Sequence, residues 1–358
     1  MIYFIYHKIK MYDIAIIGLG PAGATVSRLL SKKYKILALD RKNSNMSKCC
    51  GGLLSPDAQK ILASFDLCLP KDVLVNPQIF SVRTIDLDNN LERNYQRFYL
   101  NMDRGKFDKW LISLISNNVN IINEAICKKI EKIKGGYKIY YMQGTKSFEE
   151  TAKVVIGADG ANSIIRNTLY PNSNIIRYVS IQEWYENEVE SPIYTSIFDR
   201  KLGKSYSWTI SKNQYFIVGG AFPEETCSEN FEELKLKLRK KGYKFSKDKL
   251  VKREGCYVYL SNAFNSVHIG KDNVYLIGEA AGMISPSSLE GISYAMESGH
   301  ILADVLNKQL LDSNYKYFNK TLKLRTKLKL KILKRPFMYN KILRKLVMKS
   351  GLQSIKKA

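Results

Sequence analysis

Short apolar runs separated by helical patterns predict an α/β fold for the first part of the chain. Residues 14–17 are continuously apolar and predict a buried strand, a helical stretch to Leu30 follows, and residues 35–39 predict a second strand that ends at Asp40. Strand, helix and strand in this order indicate parallel strands. Apolar spacing further along predicts a helix over 106–118 and short strands over 154–156 and 274–277.

The pattern changes between about residues 172 and 266. Segments such as 194–198 and 214–218 alternate apolar and polar positions and are bounded by Gly and Asn, which predicts an antiparallel sheet. Helical spacing is found over about 229–241 and again over 293–311. The chain has no internal repeat.

A glycine-rich turn joins the first predicted strand to the first predicted helix. It reads Gly18-Leu19-Gly20-Pro21-Ala22-Gly23, and Asp40 follows twenty residues after Gly20. In such a turn the first glycine permits the tight bend, the second lets backbone approach a pyrophosphate, and the third permits close helix–strand packing. The helix N-terminus attracts phosphate, and Asp40 can accept hydrogen bonds from ribose hydroxyls. A turn needed only for packing is the alternative interpretation.

Two later segments favour a flavin dinucleotide over a nicotinamide one. Residues 155–163 form a strand that runs into the turn Asp159-Gly160, and residues 274–282 form a strand that runs into Gly-Glu-Ala-Ala-Gly, a predicted helix start. An extended flavin needs an acidic side chain at its ribityl chain, which Glu279 would supply. These segments and the glycine turn, in this order, resemble the FAD-binding motifs of the flavoprotein family with the p-hydroxybenzoate hydroxylase fold.

The resemblance covers about residues 11–310 and implies non-covalent FAD. It implies that Arg104 lies along the ribityl and phosphate, that Glu279 stands where the family usually has Asp, and that Gly291 and Ile292 face the flavin N1/O2 edge. The full set of implied cofactor contacts is Gly18, Gly20, Pro21, Ala22, Gly23, Asp40, Arg41, Cys50, Gly51, Gly52, Arg104, Cys127, Asp159, Gly160, Gly278, Glu279, Gly282, Gly291 and Ile292. Only one dinucleotide motif is present, so the resemblance implies NAD(P)H as a transient reductant or a protein electron donor.

Two segments resemble the geranylgeranyl reductase branch of this family, and the run from Gly278 to Met296, together with the short length of the chain, resembles its compact CbrA-like bacterial members. Cys50-Gly51-Gly52 resembles the Cys-Gly-Gly stretch beside the flavin. Tyr206, Trp208 and Ile210 resemble the Y-x-W-x-F-P motif that lines the prenyl-substrate cavity, although Ile210 replaces Phe and Ser211 replaces Pro. Core packing is the alternative role for Tyr206 and Trp208.

Cys50 and Cys49 are the candidate catalytic residues, as proton donors or as groups that position the flavin ring. The alternative is that both are small buried hydrophobic side chains. The six cysteines lack the paired C-x-x-C spacing of a zinc site, and no metal is predicted. Without a recognisable secretory segment, the thiols are expected to be reduced and the protein cytoplasmic. Residues 1–10 are expected to be an extension or to follow a misplaced start.

The predicted fold is a three-layer, Rossmann-like FAD-binding domain with a parallel sheet, an inserted antiparallel-sheet substrate domain and a C-terminal helical tail. The expected boundaries of the FAD domain are 11–70, 101–170 and 267–312. Those of the substrate domain are 71–100 and 171–266, and the tail covers 313–358.

The expected activity is reduction of carbon–carbon double bonds in an isoprenoid (geranylgeranyl or polyprenyl) lipid. One alternative is an FAD-dependent monooxygenase that hydroxylates an aromatic or lipid substrate. Another is a flavin-binding protein without catalytic activity. The sequence leaves the substrate, which could be a small molecule or a prenyl lipid, and the oligomeric state open.

Composition and charge refine this interpretation. A chain of 358 residues with 45% hydrophobic residues can bury a sizeable core, which excludes a disordered chain. The net charge is +24, but no Asp or Glu follows Asp312, and residues 316–357 carry fifteen Lys or Arg. The remainder therefore carries 24 − 15 = +9, and nucleic-acid binding is not expected because the charge is concentrated in the tail.

Leucines alternate with lysines in this basic tail, from Leu322 to Leu333, and Pro336 is expected to break its helix. Such an element could lie on an anionic membrane, which would place the protein peripherally on the inner face. A solvated basic helix is the alternative.

Overall fold

The computed structural model of the chain describes residues 11–43, 46, 48–173, 176–186, 191–260 and 266–355. The expectation about residues 1–10 lies outside these ranges. In chain order, the first elements are β1 (Tyr12–Ile17), α1 (Pro21–Leu29), β2 (Ile36–Asp40), β3 (Leu53–Leu54), α2 (Pro56–Ser64), β4 (Ile79–Asp86), β5 (Leu91–Asn101), α3 (Arg104–Ser113), β6 (Val119–Asn123), β7 (Ala125–Ile133), β8 (Gly136–Gln143), β9 (Lys146–Gly157) and α4 (Ile164–Leu169). They are followed by β10 (Arg177–Glu186), β11 (Ile193–Phe198), β12 (Ser207–Lys212), β13 (Tyr215–Pro223), α5 (Cys227–Lys240), β14 (Leu250–Tyr259), β15 (Val274–Leu276), α6 (Ile292–Lys308), α7 (Asn314–Lys320), α8 (Leu322–Tyr339), α9 (Lys341–Ser350) and β16 (Ser354–Ile355).

The first sheet contains a parallel core in the order β6-β2-β1-β9-β15. Helices α1 and α6 pack on one face, where Val26 and Leu302 join the apolar core. The meander β7-β8-β9 covers the other face with side chains such as Ile130 and Tyr141. The predicted three-layer, Rossmann-like α/β fold is confirmed.

The parallel strands end at the same level. Ile17 pairs with Leu39 on one side and with Gly157 on the other, and Gly157 also pairs with Leu276. The loops after these four strands therefore share one edge of the sheet, and ligands of open α/β sheets bind at such carboxyl edges.

The second sheet has the strand order β14-β10-β13-β12-β11-β4-β5-β16, with β3 added to β5. Its pairs are antiparallel except for β4 and β11, which run parallel. Helix α5 covers one face through Phe231 and Leu234, which pack against Val218 and Phe222. The predicted antiparallel sheet is confirmed, with β4–β11 as its parallel exception, and its role in binding a substrate stays a prediction.

Three predicted element boundaries are wrong. Helix α3 begins at Arg104 rather than 106, because the Asp103 carboxylate accepts a hydrogen bond from Lys106 N at 2.9 Å and caps the helix there. It ends at Ser113, before strand β6 begins. The Gly278–Ala281 segment is a single 3₁₀ turn that Gly282 ends at φ +77°, and the long helix α6 starts later, at Ile292.

The third correction concerns Pro336, which lies inside α8 instead of ending it. The break comes four residues later, where Asn340 adopts an extended conformation and its side chain caps α9 by accepting from Ile342 N and Leu343 N. A proline removes only one backbone donor, and near the end of a helix that loss is tolerated.

The predicted helical tail is confirmed as α7, α8 and α9. Its last two helices dock on the body through ion pairs, from Lys327 to Asp57 at 3.2 Å and from Arg344 to Asp86 at 2.8 Å. Among the helices of the described ranges, none combines the length and apolar content needed to cross a bilayer.

Candidate active site

The glycine turn lies between β1 and α1 at the carboxyl edge of the first sheet. Gly18 has φ +97°, and a Cβ built there would lie 2.6 Å from Ala158 O. A Cβ on Gly23 would collide with Gly18 O at 1.9 Å, so both glycines are required by packing. Gly20 differs: a Cβ there would meet no atom within 4 Å, and as the N-cap of α1 it leaves the first N–H groups of the helix open. Pro21 and Ala22 form the first turn of α1.

Asp40 ends β2 beside this turn and is 4% exposed. Burial raises the pKa of its carboxyl group, although Lys42, whose N–H lies 3.4 Å from Asp40 Oδ1, favours the ionised form. The neighbouring Arg41 is exposed. Asp40 therefore presents an acceptor at the edge where the predicted ribose would lie.

Arg104 and Lys42 both bind Asp108. Arg104 Nε lies 2.9 Å from Asp108 Oδ1 and Lys42 Nζ lies 2.7 Å from Asp108 Oδ2. Burial opposes ionisation of Arg104, but Asp108 and the nearby Cys50 thiol outweigh it and raise the pKa of the guanidinium. Arg104 is thereby fixed as a cation beside Cys50, at the position predicted for a flavin-contacting arginine.

Asp159 caps α4 instead of presenting a free carboxylate. Its oxygens accept from Ser163 Oγ at 2.5 Å and from Ile164 N at 2.8 Å. Burial raises the pKa of Asp159 despite these bonds. Gly160 follows with φ +80° and open space at its Cβ position. Cys127 lies in the core near Asp159, and burial together with this carboxyl group raises its pKa to about 12.

Glu279 connects the two sheets. One carboxylate oxygen accepts from Tyr259 N, at the end of β14, at 2.9 Å, and the other forms an ion pair with Lys48. Next to it, Gly278 N donates to Ser298 Oγ on α6 at 2.9 Å. Glu279 thus lies at the predicted edge, and it also holds the segment that begins at Lys48.

Residues 48–52, which we call the seam segment, lie between the two sheets. A Cβ on Gly51 would lie 2.7 Å from Ile210 Cδ1 and 3.8 Å from Trp208 Nε1, so the segment packs directly on β12. Cys50 O accepts from Gln182 Nε2 at 3.3 Å. The structure therefore brings the Cys-Gly-Gly stretch and the Tyr206–Ile210 stretch into contact, although more than 150 residues separate them.

Cys49 and Cys256 lie together at one end of the seam segment. Cys256 Sγ donates to Cys49 O at 3.4 Å, and Cys49 Sγ lies 3.6 Å from Glu254 O. The Cys49 thiol donates to Cys256 and so lowers the pKa of Cys256 to about 7 against the effect of burial, with help from Lys48 and Arg104. The same contact raises the pKa of Cys49. Cys256 is the more easily ionised thiol.

Lys212 lies buried at the other end of the seam segment, 3% exposed. Its ammonium donates to Gly52 O at 3.1 Å, to Asn101 Oδ1 at 2.6 Å and to Met102 O at 2.7 Å. Burial lowers its pKa to about 7. Lys212 therefore ties the Gly51-Gly52 turn to the loop that precedes Arg104.

A buried aromatic cluster, which we call the aromatic wall, lies beyond the seam segment on the second sheet. Tyr99 and Tyr194 meet edge to face at 5.8 Å, Tyr206 lies 6.0 Å from Trp208, and Ile210 is buried with them. Trp208 Nε1 is buried and has no acceptor among the described residues. A buried donor without a partner is costly, and such a group marks a place where a ligand can supply the acceptor.

Glu290 is the acidic residue of this wall. Tyr99 Oη donates to Glu290 Oε1 at 2.9 Å, and burial raises the pKa of Glu290. Gly291, next in sequence, is the N-cap of α6 and has no side-chain cap, so the first N–H groups of α6, beginning at Ile292, have no capping side chain. The wall therefore contains a carboxyl group that stays protonated at higher pH than an exposed glutamate.

Most of the predicted residues gather around the shared edge and the seam segment, but their contacts with a cofactor stay predictions. The exceptions in position are Arg41, which is exposed, and Cys127, which lies in the core. Sequence reasoning missed Lys212, Cys256 and Glu290. The first two carry no motif signal, whereas Glu290 directly precedes the predicted Gly291 and could have been found there.

Comparisons with known proteins agree with this geometry. The sequence is 45% identical over 348 residues to the protein CbrA of Escherichia coli O157:H7, a match that covers 96% of this chain and 98% of that protein. No family model matches the sequence.

Two solved structures are similar in fold. One is a geranylgeranyl bacteriochlorophyll reductase-like protein from Thermoplasma acidophilum, with a TM-score of 0.70, 19% identity and coverage of 97% of this chain and 88% of that one. The other is PqsL, described as a probable FAD-dependent monooxygenase from Pseudomonas aeruginosa, with a TM-score of 0.69, 14% identity and coverage of 95% and 100%. The chain therefore has the fold found in flavin-dependent oxidoreductases.

Proposed function

The chain belongs to the CbrA family, and from this premise we propose that it is an FAD-dependent oxidoreductase that reduces carbon–carbon double bonds of an isoprenoid lipid. The observation that carries the proposal is the seam segment. It touches the predicted cofactor edge through Arg104 and Glu279, and it touches the aromatic wall through Ile210 and Trp208. A reductase of apolar substrates needs its cofactor to lie next to a dry, apolar substrate site.

The residues present fit FAD. The open backbone at Gly20 and the first N–H groups of α1 suit a pyrophosphate, and Asp40 suits a ribose. Arg104 is held as a cation between this edge and Cys50. The first N–H groups of α6, after Gly291, suit an anionic edge of a flavin ring. When bound and reduced, FAD supplies a hydride.

The protein must supply the proton that completes the reduction. Hydride adds to one alkene carbon and a proton to the other, so the substrate gains two hydrogens and the flavin loses two electrons. We assign the proton to Glu290, which reaches the aromatic wall with Tyr99. Glu290 is a stronger candidate than Cys50 or Cys49, because a carboxylic acid is a far stronger acid than a thiol. Tyr194, Tyr206 and Trp208 exclude water from the reacting carbons.

Anaerobic single-turnover spectroscopy tests the proposal. The purified protein is loaded with FAD, reduced with dithionite or NAD(P)H under nitrogen, and mixed with geranylgeranyl or polyprenyl lipids. Reoxidation of the flavin by the lipid, with saturated product in the mass spectrum, is the expected result. The matched control is the saturated lipid, which must leave the flavin reduced.

Two other outcomes separate the alternatives. If the flavin is reoxidised only when oxygen is admitted, and a hydroxylated product forms, the protein is a monooxygenase, the activity named for PqsL. If no reductant bleaches the bound flavin, the protein binds FAD without catalytic turnover.

A further inference from the structure

An exposed apolar stripe runs along helix α8. It consists of Leu322, Leu330, Leu333 and Phe337, which are 59%, 56%, 56% and 53% exposed. At about 100° per residue these four positions fall within an arc of roughly 80° on the helix surface. They form one continuous face and are not scattered single residues.

The opposite face of α8 is already occupied by the protein. Leu324 and Leu328 are buried in the core of the first sheet. Lys327 and Lys331 reach Asp57 on α2 at 3.2 and 3.8 Å. The helix is therefore docked through one apolar face while a second apolar face remains outside, which is unusual for a helix that lies in water.

Helix α9 repeats this arrangement. Ile342 and Leu346 are 68% and 61% exposed on one face. On the other, Met348 is buried and the Arg344 guanidinium binds Asp86 at 2.8 Å and Asp88 at 2.7 Å. Two consecutive helices thus each keep an apolar face outward while being fixed to the body from behind.

The charged side chains of α8 that border the stripe are all positive. Lys323, Lys329 and Lys334 are exposed beside it. No Asp or Glu occurs after Asp312, and the tail contains fifteen Lys or Arg. A helix that presents exposed apolar side chains bordered by its own lysines is complementary to an anionic lipid bilayer, because acyl chains accept the apolar face and headgroups accept the lysines.

We propose that the outward faces of α8 and α9 form a docking surface for an anionic phospholipid membrane. The helices would lie parallel to the bilayer plane, with the apolar stripe at the level of the headgroups and the lysines around it. This inference concerns binding alone and does not depend on the reaction that the protein catalyses.

Helix α8 also connects the docking surface to the aromatic wall that contains Tyr206, and the consequence of this connection rests on the proposed function. Tyr339, at the end of α8, donates to Ser287 O at 2.7 Å and packs against Phe198 at 5.6 Å. Phe198 in turn lies 6.1 Å from Tyr206 of the aromatic wall. Membrane binding would therefore bring the wall close to the lipid phase.

Vesicle flotation of the full-length protein tests the proposal. Vesicles of phosphatidylcholine alone are compared with vesicles of equal parts phosphatidylcholine and phosphatidylglycerol. We expect at least tenfold stronger binding to the anionic vesicles at low salt, and strong weakening at high salt because exposed charges are screened. Equal or absent binding to the two vesicle types overturns the proposal.

The double variant Leu330→Asp with Leu333→Asp should lose at least tenfold in vesicle binding. The matched control is Leu236→Asp on α5, which replaces a leucine that is 51% exposed between two lysines on another surface. This control should bind as the unaltered protein does. Should the double variant fold poorly, as judged by its melting temperature, Leu322→Ser with Phe337→Ser replaces it.

Sedimentation velocity distinguishes the other possible occupant. If the unaltered protein is a dimer that the double variant converts to a monomer while vesicle binding is unchanged, a second copy of the chain covers the surface. That result overturns the membrane proposal. It leaves the proposed reductase activity untouched, and failure of the lipid-reduction assay leaves the vesicle result untouched.

Discussion

Lys212, Cys256 and Glu290 are ionisable groups of the site with shifted pKa values, and none of them belongs to a motif. Burial lowers the pKa of Lys212 and raises that of Glu290, and a hydrogen bond from Cys49 lowers that of Cys256. In each case the shift depends on residues distant in sequence that strand pairing brings together. Perturbed ionisable groups in a cleft are candidates for function, and each of these three leads to an experiment.

Replacement of Glu290 by Gln should reduce the rate of substrate reduction by about a hundredfold, because an amide cannot donate the proton. Since burial raises the pKa of Glu290, the rate of the unaltered protein should fall as pH rises through that value. The variant should lack this fall. Stopped-flow rates across pH check both points.

Glu297→Gln is the matched control for Glu290→Gln. This glutamate lies on α6, seven residues after Glu290, and its neighbours include tail lysines such as Lys323 and Lys327. A Glu290→Gln variant with an unchanged rate and pH profile would contradict the assignment of the proton donor.

Cys256 should be alkylated by iodoacetamide with a midpoint below that of an ordinary thiol, because Cys49, Lys48 and Arg104 lower its pKa. Cys127, whose pKa is raised to about 12, should stay unmodified under the same conditions. Mapping of modified peptides by mass spectrometry gives both rates. Lys48→Met should move the midpoint for Cys256 to higher pH, because Lys48 favours the thiolate. A midpoint near that of an ordinary thiol would show that the contact with Cys49 does not form.

Lys212→Met should lower the free energy of unfolding by about 1–3 kcal/mol at neutral pH, because three buried oxygens lose their donor. The pKa of Lys212 falls from an ordinary 10.5 to about 7 in the folded protein. Between these values the unfolded chain binds a proton that the folded protein does not, so stability should rise with pH. Urea denaturation across that window should show this slope in the unaltered protein and not in the variant.

At the scale of elements, two glycines of the turn between β1 and α1 are expected to have different roles: Gly18 is needed for the fold and Gly20 for binding FAD. Gly20→Ala should leave the melting temperature of the FAD-free protein unchanged, because its Cβ meets nothing and its φ of −69° suits any residue. It should weaken FAD binding about tenfold or more, since backbone must approach the pyrophosphate there.

Gly18→Ala is the comparison for Gly20→Ala. It should destabilise the fold itself, because φ is +97° and its Cβ would collide with Ala158 O. Melting curves and flavin titrations of both variants distinguish the two roles. Equal FAD affinity for Gly20→Ala and the unaltered protein would exclude this turn as the pyrophosphate site.

Strands could be predicted from the sequence where one or both of their faces are buried. Strands β1, β2 and β15 are continuous apolar runs and could be placed from the sequence. Strand β9 is longer than predicted because its first half, from Lys146, is polar and pairs in an exposed hairpin with β8. Apolar periodicity gives no signal for such a strand.

The site was predictable to the extent that it depends on strand ends. Gly18, Asp40 and Glu279 follow parallel strands, so their common edge could be inferred. The contact between Cys49 and Cys256 could not be, because it depends on β14 pairing with β10 across Ser180. The role of Asp159 as a cap for α4 was missed because the short helix after it has no strong apolar pattern.

At the scale of the whole molecule, buried ion pairs from Arg344 to Asp86 and Asp88 help to fix the tail to the second sheet. Arg344→Met should cost about 3–5 kcal/mol of unfolding free energy, because it leaves the buried Asp86 without its cation. Burial raises the pKa of Asp86, but Arg344 and Asn89 outweigh it and hold the pKa below its ordinary value. The contribution of Arg344 is therefore present at neutral pH and is lost as pH falls through that lowered pKa.

Chemical denaturation and limited trypsin digestion of the tail measure the effect of Arg344→Met. The exposed neighbour Lys345→Met is the control and should change neither the stability nor the rate of tail cleavage. If both variants behave alike, the ion pairs of Arg344 do not contribute to holding the tail.

Most of the net charge of +24 comes from one part of the chain, the C-terminal tail. Fifteen of the positive charges lie after Asp312, and thirteen of these belong to helices α7, α8 and α9. The sequence predicted this concentration, but not that both long tail helices are anchored from behind and keep apolar faces outward. That feature follows from tertiary contacts such as Lys327 with Asp57.

The close approach of Gly51 to Ile210 and Trp208 has a consequence for how this family can diversify. This close packing is possible because position 51 has no side chain where the Ile210 side chain approaches it. A bulkier residue at position 51 would collide with the Ile210 side chain unless position 210 became smaller. Homologues that accept wider or narrower substrates should therefore change positions 51 and 210 together. Replacing only one of the two residues should lower the activity towards one class of substrate before it lowers the stability of the fold.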